Sequence, residues 1–221
     1  MKKIIFAIAA VVTFAACNNT PTADKAETTE KQTAAAADGT SFKTDSTSLV
    51  TWTGTKPGGA HTGTFAVTEG FISAKDGNIT AGNFIIDINT LSDKDLTDAT
   101  GKGKLEGHLK SADFFDAAKF PTAKFEITGV EPFKYDSATM KDVVMKDATH
   151  TIKGNFSLKD SIKNISFPAK VTVEGNKLTA VADFNIDRTQ WGLNYKGPNN
   201  PQDWFISKTV NIKLNIAAAN K

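Results

Sequence analysis

The sequence predicts an all-β domain, either a closed barrel or a two-sheet sandwich, and three observations lead to this fold class. Four segments alternate apolar and polar residues, pairs of turn-forming residues separate neighbouring segments, and only one short stretch has helical spacing. Alternation places one face of a strand in the core and the other in water. Closure into a barrel is favoured because it removes exposed strand edges.

The individual strands follow from this alternation. It is clearest in segments 84–89, 152–159, 178–187 and 209–216, and further strands are predicted near Val50–Lys56, Thr62–Ser73, Lys124–Val130 and Ser166–Glu174. This makes about eight or nine strands in all. Asp76–Gly77 and Gly175–Asn176 are residue types that tolerate positive φ, so they predict tight hairpin turns.

One stretch interrupts the β pattern. Leu105, Leu109 and Ala112 are spaced four and three residues apart, which is helical spacing, and Pro121 ends the stretch. The sequence therefore predicts one short helix within Gly101–Asp116, followed by a loop. In a small barrel, such an insertion is suited to act as a lid or an end plug.

The N-terminus predicts export. Lys2 and Lys3 precede the apolar run Ile4–Ala16, whose 13 residues are too few to cross ~30 Å of hydrocarbon but suit a signal peptide. The small residues before Cys17 resemble a bacterial lipobox, which implies cleavage before Cys17 and attachment of diacylglycerol to its thiol. A plain secretory signal with an incidental cysteine is the alternative.

Three regions are predicted along the chain: a signal peptide at 1–16, a lipidated Cys17 with a disordered tether up to residue 41, and one domain at 42–221. Cys17 is the only cysteine and cannot form an intramolecular disulfide, which supports lipidation. Two or three acyl chains, such as palmitate, hold a protein stably on a membrane. The tether is too polar to bury the apolar surface that ordering requires.

The charge balance argues against nucleic acid as a partner. The full chain has 26 basic and 24 acidic residues, and loss of the signal peptide removes Lys2 and Lys3 but no acid. The mature chain is therefore close to neutral, and it has no basic cluster of the kind that binds nucleic acid.

The helix–loop carries the most specific linear pattern in the chain. His108–Phe114 followed by Lys119–Phe125 resembles the signature of the YceI-like family. Trp52–Lys56, His61–Thr64, Ile152–Phe156 and Ile186–Arg188 with Trp191–Leu193 resemble other segments of that family. The resemblance covers roughly residues 42–216, which is nearly all of the predicted domain.

The resemblance implies a lipocalin-like antiparallel barrel, exported to the bacterial periplasm, that holds a polyisoprenoid or an isoprenoid quinone in an apolar cavity. Together with the lipobox, it leads us to expect a lipid-anchored protein of the cell envelope that faces the periplasm, at the outer rather than the inner membrane. A homodimer is one assembly that the sequence leaves open. The candidate ligand contacts are Trp52, His61, Phe65, Phe84, His108, Phe114, Phe115, Phe156, Phe184, Arg188 and Trp191.

These residues also have structural interpretations. The 15 phenylalanines and 3 tryptophans could line a cavity or fill a solid core. His108 could bind a ligand head group, such as a quinone carbonyl, or fix its own loop, and His61 has the same two alternatives. Alternation turns Arg188 inward, where a buried arginine needs a partner, and Asp87 or Asp113 are candidates.

No motif indicates catalysis. The sequence has no G-x-S-x-G, no Walker loop and no metal-binding His/Cys spacing, and an EF-hand counted from Asp93 fails at Asp98 and Lys104. We therefore expect the protein to be no enzyme and to hold no cofactor or metal.

The leading hypothesis is binding, transport or storage of an apolar amphiphile, and the alternative is a structural or interaction module without a ligand. An enzyme acting on a lipid would need His108, Asp113 and a serine together at the cavity wall.

Overall fold

The structure is a computed structural model that describes residues 20–197 and 206–220. Its elements in chain order are β1 (Asp24–Lys25), β2 (Glu27–Glu30), β3 (Thr40–Thr44), β4 (Leu49–Lys56), β5 (Gly59–Lys75), β6 (Asn78–Asp93), α1 (Lys102–Lys110), β7 (Thr122–Pro132), β8 (His150–Leu158), β9 (Ser161–Glu174), β10 (Lys177–Asp187) and β11 (Thr209–Ala219). Two short 3-10 turns occupy Asp98–Thr100 and Arg188–Trp191. The predicted signal peptide and the lipidation site Cys17 lie outside the described residues, so both stay predictions.

Strands β4 to β11 form a closed antiparallel barrel. Each of these eight strands pairs with the next one along the chain, and β11 returns to pair with β4. The short strand β3 continues the line of β4, because it also pairs with β11 and β5. The predicted all-β class and the closed barrel are confirmed, and the sandwich alternative is excluded.

The single α-helix lies where the sequence predicted it, between β6 and β7, but it is shorter than Gly101–Asp116. It ends at Lys110, because Ser111 has an extended backbone (ψ 173°) and the chain then continues through turns. Within the described ranges, no helix has the length and apolar character that crossing a bilayer requires.

The hairpin between β5 and β6 has the turn that its sequence predicts. Asp76 and Gly77 both have positive φ, at 51° and 80°, which is the conformation of the tight turns that match the twist of paired strands. This turn fixes the register of the two longest strands, and with it the inward-facing positions that form the core.

The N-terminal strap, residues 20–39, corrects the prediction of a disordered tether. In place of disorder, β1 pairs in parallel with β10 at Phe184 and Asn185, and β2 pairs with β9. β9 and β10 pair with each other only near their shared hairpin, so the strap fills the gap where they separate. Composition failed here because backbone pairing to exposed strand edges, rather than apolar burial, orders the segment.

Asparagines on the outer face of the barrel bind the backbone of the strap, either directly or through one another. The side chain of Asn155 accepts a hydrogen bond from the Gln32 N–H at 3.0 Å and donates one to the Gln32 carbonyl at 2.7 Å. Asn164 donates to Asn155, and Asn185 donates to the Pro21 carbonyl. Asn155 is only 2% exposed although it faces away from the barrel interior, because the strap covers it.

Replacing Asn155 with alanine should loosen the strap. The variant loses both hydrogen bonds to Gln32 and removes the acceptor of the buried Asn164 amide, so we expect a loss of about 1–3 kcal/mol in the free energy of unfolding. Trypsin should also cleave faster at Lys25 and Lys31, which are exposed but lie on ordered backbone. Asn215→Ala, on the exposed face of β11, is the matched control. Equal cleavage of both variants would contradict the role given to Asn155.

Candidate ligand cavity

The barrel encloses an apolar cavity of about 980 Å³. Its wall consists mainly of inward-facing aliphatic and aromatic residues from all eight barrel strands, together with residues of α1. This volume lies at the upper end of the range that is usual for small-molecule sites. The interior is therefore a cavity and not a solid core.

The structure brings most of the predicted contacts to this wall. Ten of the eleven line the cavity: Trp52, His61, Phe65, Phe84, His108, Phe114, Phe115, Phe156, Phe184 and Arg188. Their contact with a ligand stays a prediction, but their positions make that contact geometrically feasible.

Trp191 is the exception, since it does not line the cavity. It is fully buried in the 3-10 turn after β10, where its indole N–H donates to the Phe156 carbonyl at 2.9 Å and its ring packs against the ring of Phe156. Trp191 belongs to this turn and not to a barrel strand, so it does not occupy an inward-facing strand position. Trp191 therefore supports a wall residue from behind.

The helix–loop closes one end of the barrel with aromatic rings. Phe115 packs edge-on against Phe65 of β5, with ring centroids 5.4 Å apart. Phe114 contacts His108 and Tyr195, at 5.3 and 5.2 Å between centroids. The two adjacent phenylalanines therefore hold the loop to different parts of the barrel while both contribute to the cavity wall.

Both histidines of the wall are hydrogen-bonded to carboxylates. The Nε2 of His108 lies 3.1 Å from Asp113 Oδ2, and the Nδ1 of His61 lies 2.9 Å from Asp95 Oδ2. Burial alone would raise the pKa of Asp95, but hydrogen bonds from the Thr62 N–H and from His61 outweigh it and hold the pKa below its usual value. His61 and Asp95 are thus fixed in place at the mouth of the cavity, which is the end of the barrel next to α1.

A serine does lie near His108, but it does not complete a catalytic triad. The hydroxyl of Ser111 donates to the backbone carbonyl of His108 at 2.7 Å and so does not bond to the imidazole ring. A triad requires the nucleophile to be hydrogen-bonded to the base. The His108–Asp113 pair therefore holds the turn after α1.

The same end of the barrel contains one group that could hold a cation. Ligand atoms of His61, Asp93 and Asp95 lie within 4.8 Å of one another. Asp93 is fully buried, and one of its oxygens accepts hydrogen bonds from the Asp95 and Leu96 N–H groups. The EF-hand count from Asp93 could not have found this grouping, because His61 comes from a different strand.

Arg188 is buried as predicted, but neither Asp87 nor Asp113 is its partner. Its guanidinium donates to four backbone carbonyls, those of Leu193, Tyr195, Ile206 and Ser207. Burial lowers the pKa of Arg188, and the nearby charge of Asp187 offsets part of that effect. Arginine stays protonated near neutral pH, so a buried cation organises the segments on both sides of residues 198–205.

Sequence reasoning missed several wall residues. Phe125 and Phe167 line the cavity and could have been identified by strand alternation. Lys56, Lys104 and Lys196 lie at the mouth. They could not have been singled out, because nothing in the sequence distinguishes them from the other lysines of this chain.

Comparisons with known proteins agree with this architecture. Residues 42–218 match the family model described as the YceI-like domain. The strap precedes the matched region. No protein with a curated description matches the chain.

Two solved structures have the same fold at low sequence identity. A polyisoprenoid-binding domain from Saccharophagus degradans, implicated in plant cell wall breakdown, matches with a TM-score of 0.59 and 16% identity over 81% of this chain and 98% of its own. BcnA of Burkholderia cenocepacia matches with a TM-score of 0.58 and 15% identity over 79% of this chain and 100% of its own.

Proposed function

We propose, on the premise that the chain belongs to the YceI-like family, that it binds an amphiphile with a long apolar chain, of the polyisoprenoid or isoprenoid-quinone type. The cavity is the observation that carries this proposal, because its wall is apolar except near the mouth. Burial of each methylene contributes ~0.8 kcal/mol, so chain length alone can supply the affinity. The polyisoprenoid-binding domain from Saccharophagus degradans gives independent support from a protein of the same fold.

The protein would store, shield or transport this ligand without transforming it. This is supported by Ser111, the serine next to His108, because its hydroxyl donates to a backbone carbonyl and not to the imidazole of the His108–Asp113 pair. The proposed place of action is the bacterial cell envelope, with the domain facing the periplasm and Cys17 carrying the anchor. This part rests on the lipobox-like sequence and on the resemblance to the YceI-like family.

A series of isoprenoid alcohols of increasing length tests the proposal. Geraniol, farnesol and geranylgeraniol should displace an apolar fluorescent probe with affinities that rise by about tenfold or more for each added isoprene unit, until the cavity is full. Mass spectrometry of an organic extract of the protein, purified from its own cells, should show a matching long-chain lipid.

Affinities that do not change with chain length, together with a lipid-free extract, would overturn the proposal. The remaining candidate would then be a structural or interaction module of the envelope. Thermal unfolding with each alcohol separates the two functions independently, because a ligand that binds only the folded state raises the Tm.

A further inference from the structure

The charges on the cavity wall have one sign only. Lys56, Lys104, Lys196 and Arg188 line it, and no aspartate or glutamate of the described residues does so. The chain has almost equal numbers of acidic and basic residues, so composition does not explain this segregation. A cavity that is apolar inside and cationic at its mouth is complementary to an apolar chain with an anionic end.

The three lysines come from separate elements, and none has an ionic partner among the described residues. Lys56 ends β4, Lys104 lies in α1, and Lys196 follows the second 3-10 turn. None of them forms an ion pair with a carboxylate in the described part of the chain, although Lys196 also lies 5.7 Å from the centroid of the Tyr195 ring. Within the part of the chain that the structure describes, no carboxylate competes with an anion for these three ammonium groups.

Three carboxylates at this end of the barrel are bound to groups other than these lysines. Asp95 and Asp113 bind the two histidines, and Glu106 accepts a hydrogen bond from the Asp93 N–H. Glu106 also lies 3.9 Å from the ammonium of Lys102. None of these three carboxylates therefore neutralises Lys56, Lys104 or Lys196.

Arg188 supports the lysines without competing for the ligand. Its donors are directed at backbone carbonyls, two of which belong to Leu193 and Tyr195, so it fixes the segment that carries Lys196. Lys196 itself has a φ of 47°, a backbone conformation in which glycine or asparagine is less strained. Strained residues are concentrated at binding sites.

From these observations we propose that the ligand carries an anionic head group, a phosphate or a carboxylate, which Lys56, Lys104 and Lys196 bind at the mouth. This inference rests on the proposed function and decides between its ligand types, because a quinone head is neutral. Charge-assisted hydrogen bonds to an ammonium are stronger than neutral ones, so the head group adds affinity to that of the chain.

Pairs of ligands with the same chain test the head group separately from the chain. Geranylgeranyl phosphate should bind about tenfold to a hundredfold more tightly than geranylgeraniol, and palmitate more tightly than hexadecanol. The preference should shrink as salt is raised. A preference in the first pair alone assigns a phosphate, and one in the second pair alone assigns a carboxylate.

A triple variant, K56Q/K104Q/K196Q, should bind the anionic and the neutral member of each pair with affinities within about threefold of each other. Its affinity for both alcohols should stay unchanged. The control, K43Q/K75Q/K177Q, removes three exposed lysines at the far end of the barrel and should keep the preference. Equal binding of anionic and neutral ligands by the unmodified protein would overturn this inference and leave the chain-binding function intact. Failure of the unmodified protein to bind any of the four ligands would instead overturn the proposed function.

Discussion

Arg188→Met is expected to lower the free energy of unfolding by about 3–5 kcal/mol, which is the largest single loss that we expect in this protein. Methionine has a similar length but donates no hydrogen bond. The four carbonyls that accept hydrogen bonds from Arg188 would lose their donor. Arg188 and Leu193 are both buried, so water does not readily replace it. Urea unfolding at neutral pH, followed by fluorescence, measures the loss.

Two further variants make this result interpretable. Arg188→Lys should be nearly as destabilising, because an ammonium lacks the planar fork that reaches carbonyls in several directions. Lys213→Met, which removes the exposed ion pair between Lys213 of β11 and Asp183 of β10, should cost less than about 1 kcal/mol. If Arg188→Met and Lys213→Met were equally mild, the guanidinium would not organise the mouth.

The barrel could be predicted from the sequence because a half-buried strand leaves its period in the residue order. Phe184 and Ile186 face inward where alternation places them, and Asp76–Gly77 forms the predicted turn. The strap could not be predicted in the same way. Its order depends on Asn155 and Asn185, which are distant in sequence and look like ordinary polar strand residues until the fold places them beneath it.

The candidate site was predictable only in part, for the same physical reason. Aromatic residues of the wall follow the strand period, so Phe65 and Phe156 could be chosen directly. The partner of Arg188 could not, because backbone carbonyls accept hydrogen bonds from any sequence. Lys104 was also undetectable, since a solvated lysine and a ligand-binding lysine differ only in what surrounds them.

Ala182→Trp is expected to weaken binding of a long-chain ligand by about a hundredfold or more. Ala182 lies on β10 with its side chain in the cavity wall. An indole placed there would occupy the space of about four methylenes, which corresponds to ~3 kcal/mol of lost burial. The Kd for geranylgeraniol, obtained by probe displacement, measures the effect.

Stability distinguishes this result from general damage. In a solid core, such an enlargement destabilises by about 1–3 kcal/mol, whereas in an open cavity the indole buries apolar surface without displacing neighbours. The Tm of Ala182→Trp should therefore equal or exceed that of the unmodified protein. Thr179→Trp, on the exposed face of the same strand, should leave both Kd and Tm unchanged. A fall in Tm with no change in Kd would mean that position 182 is packed against protein and that the ligand lies elsewhere.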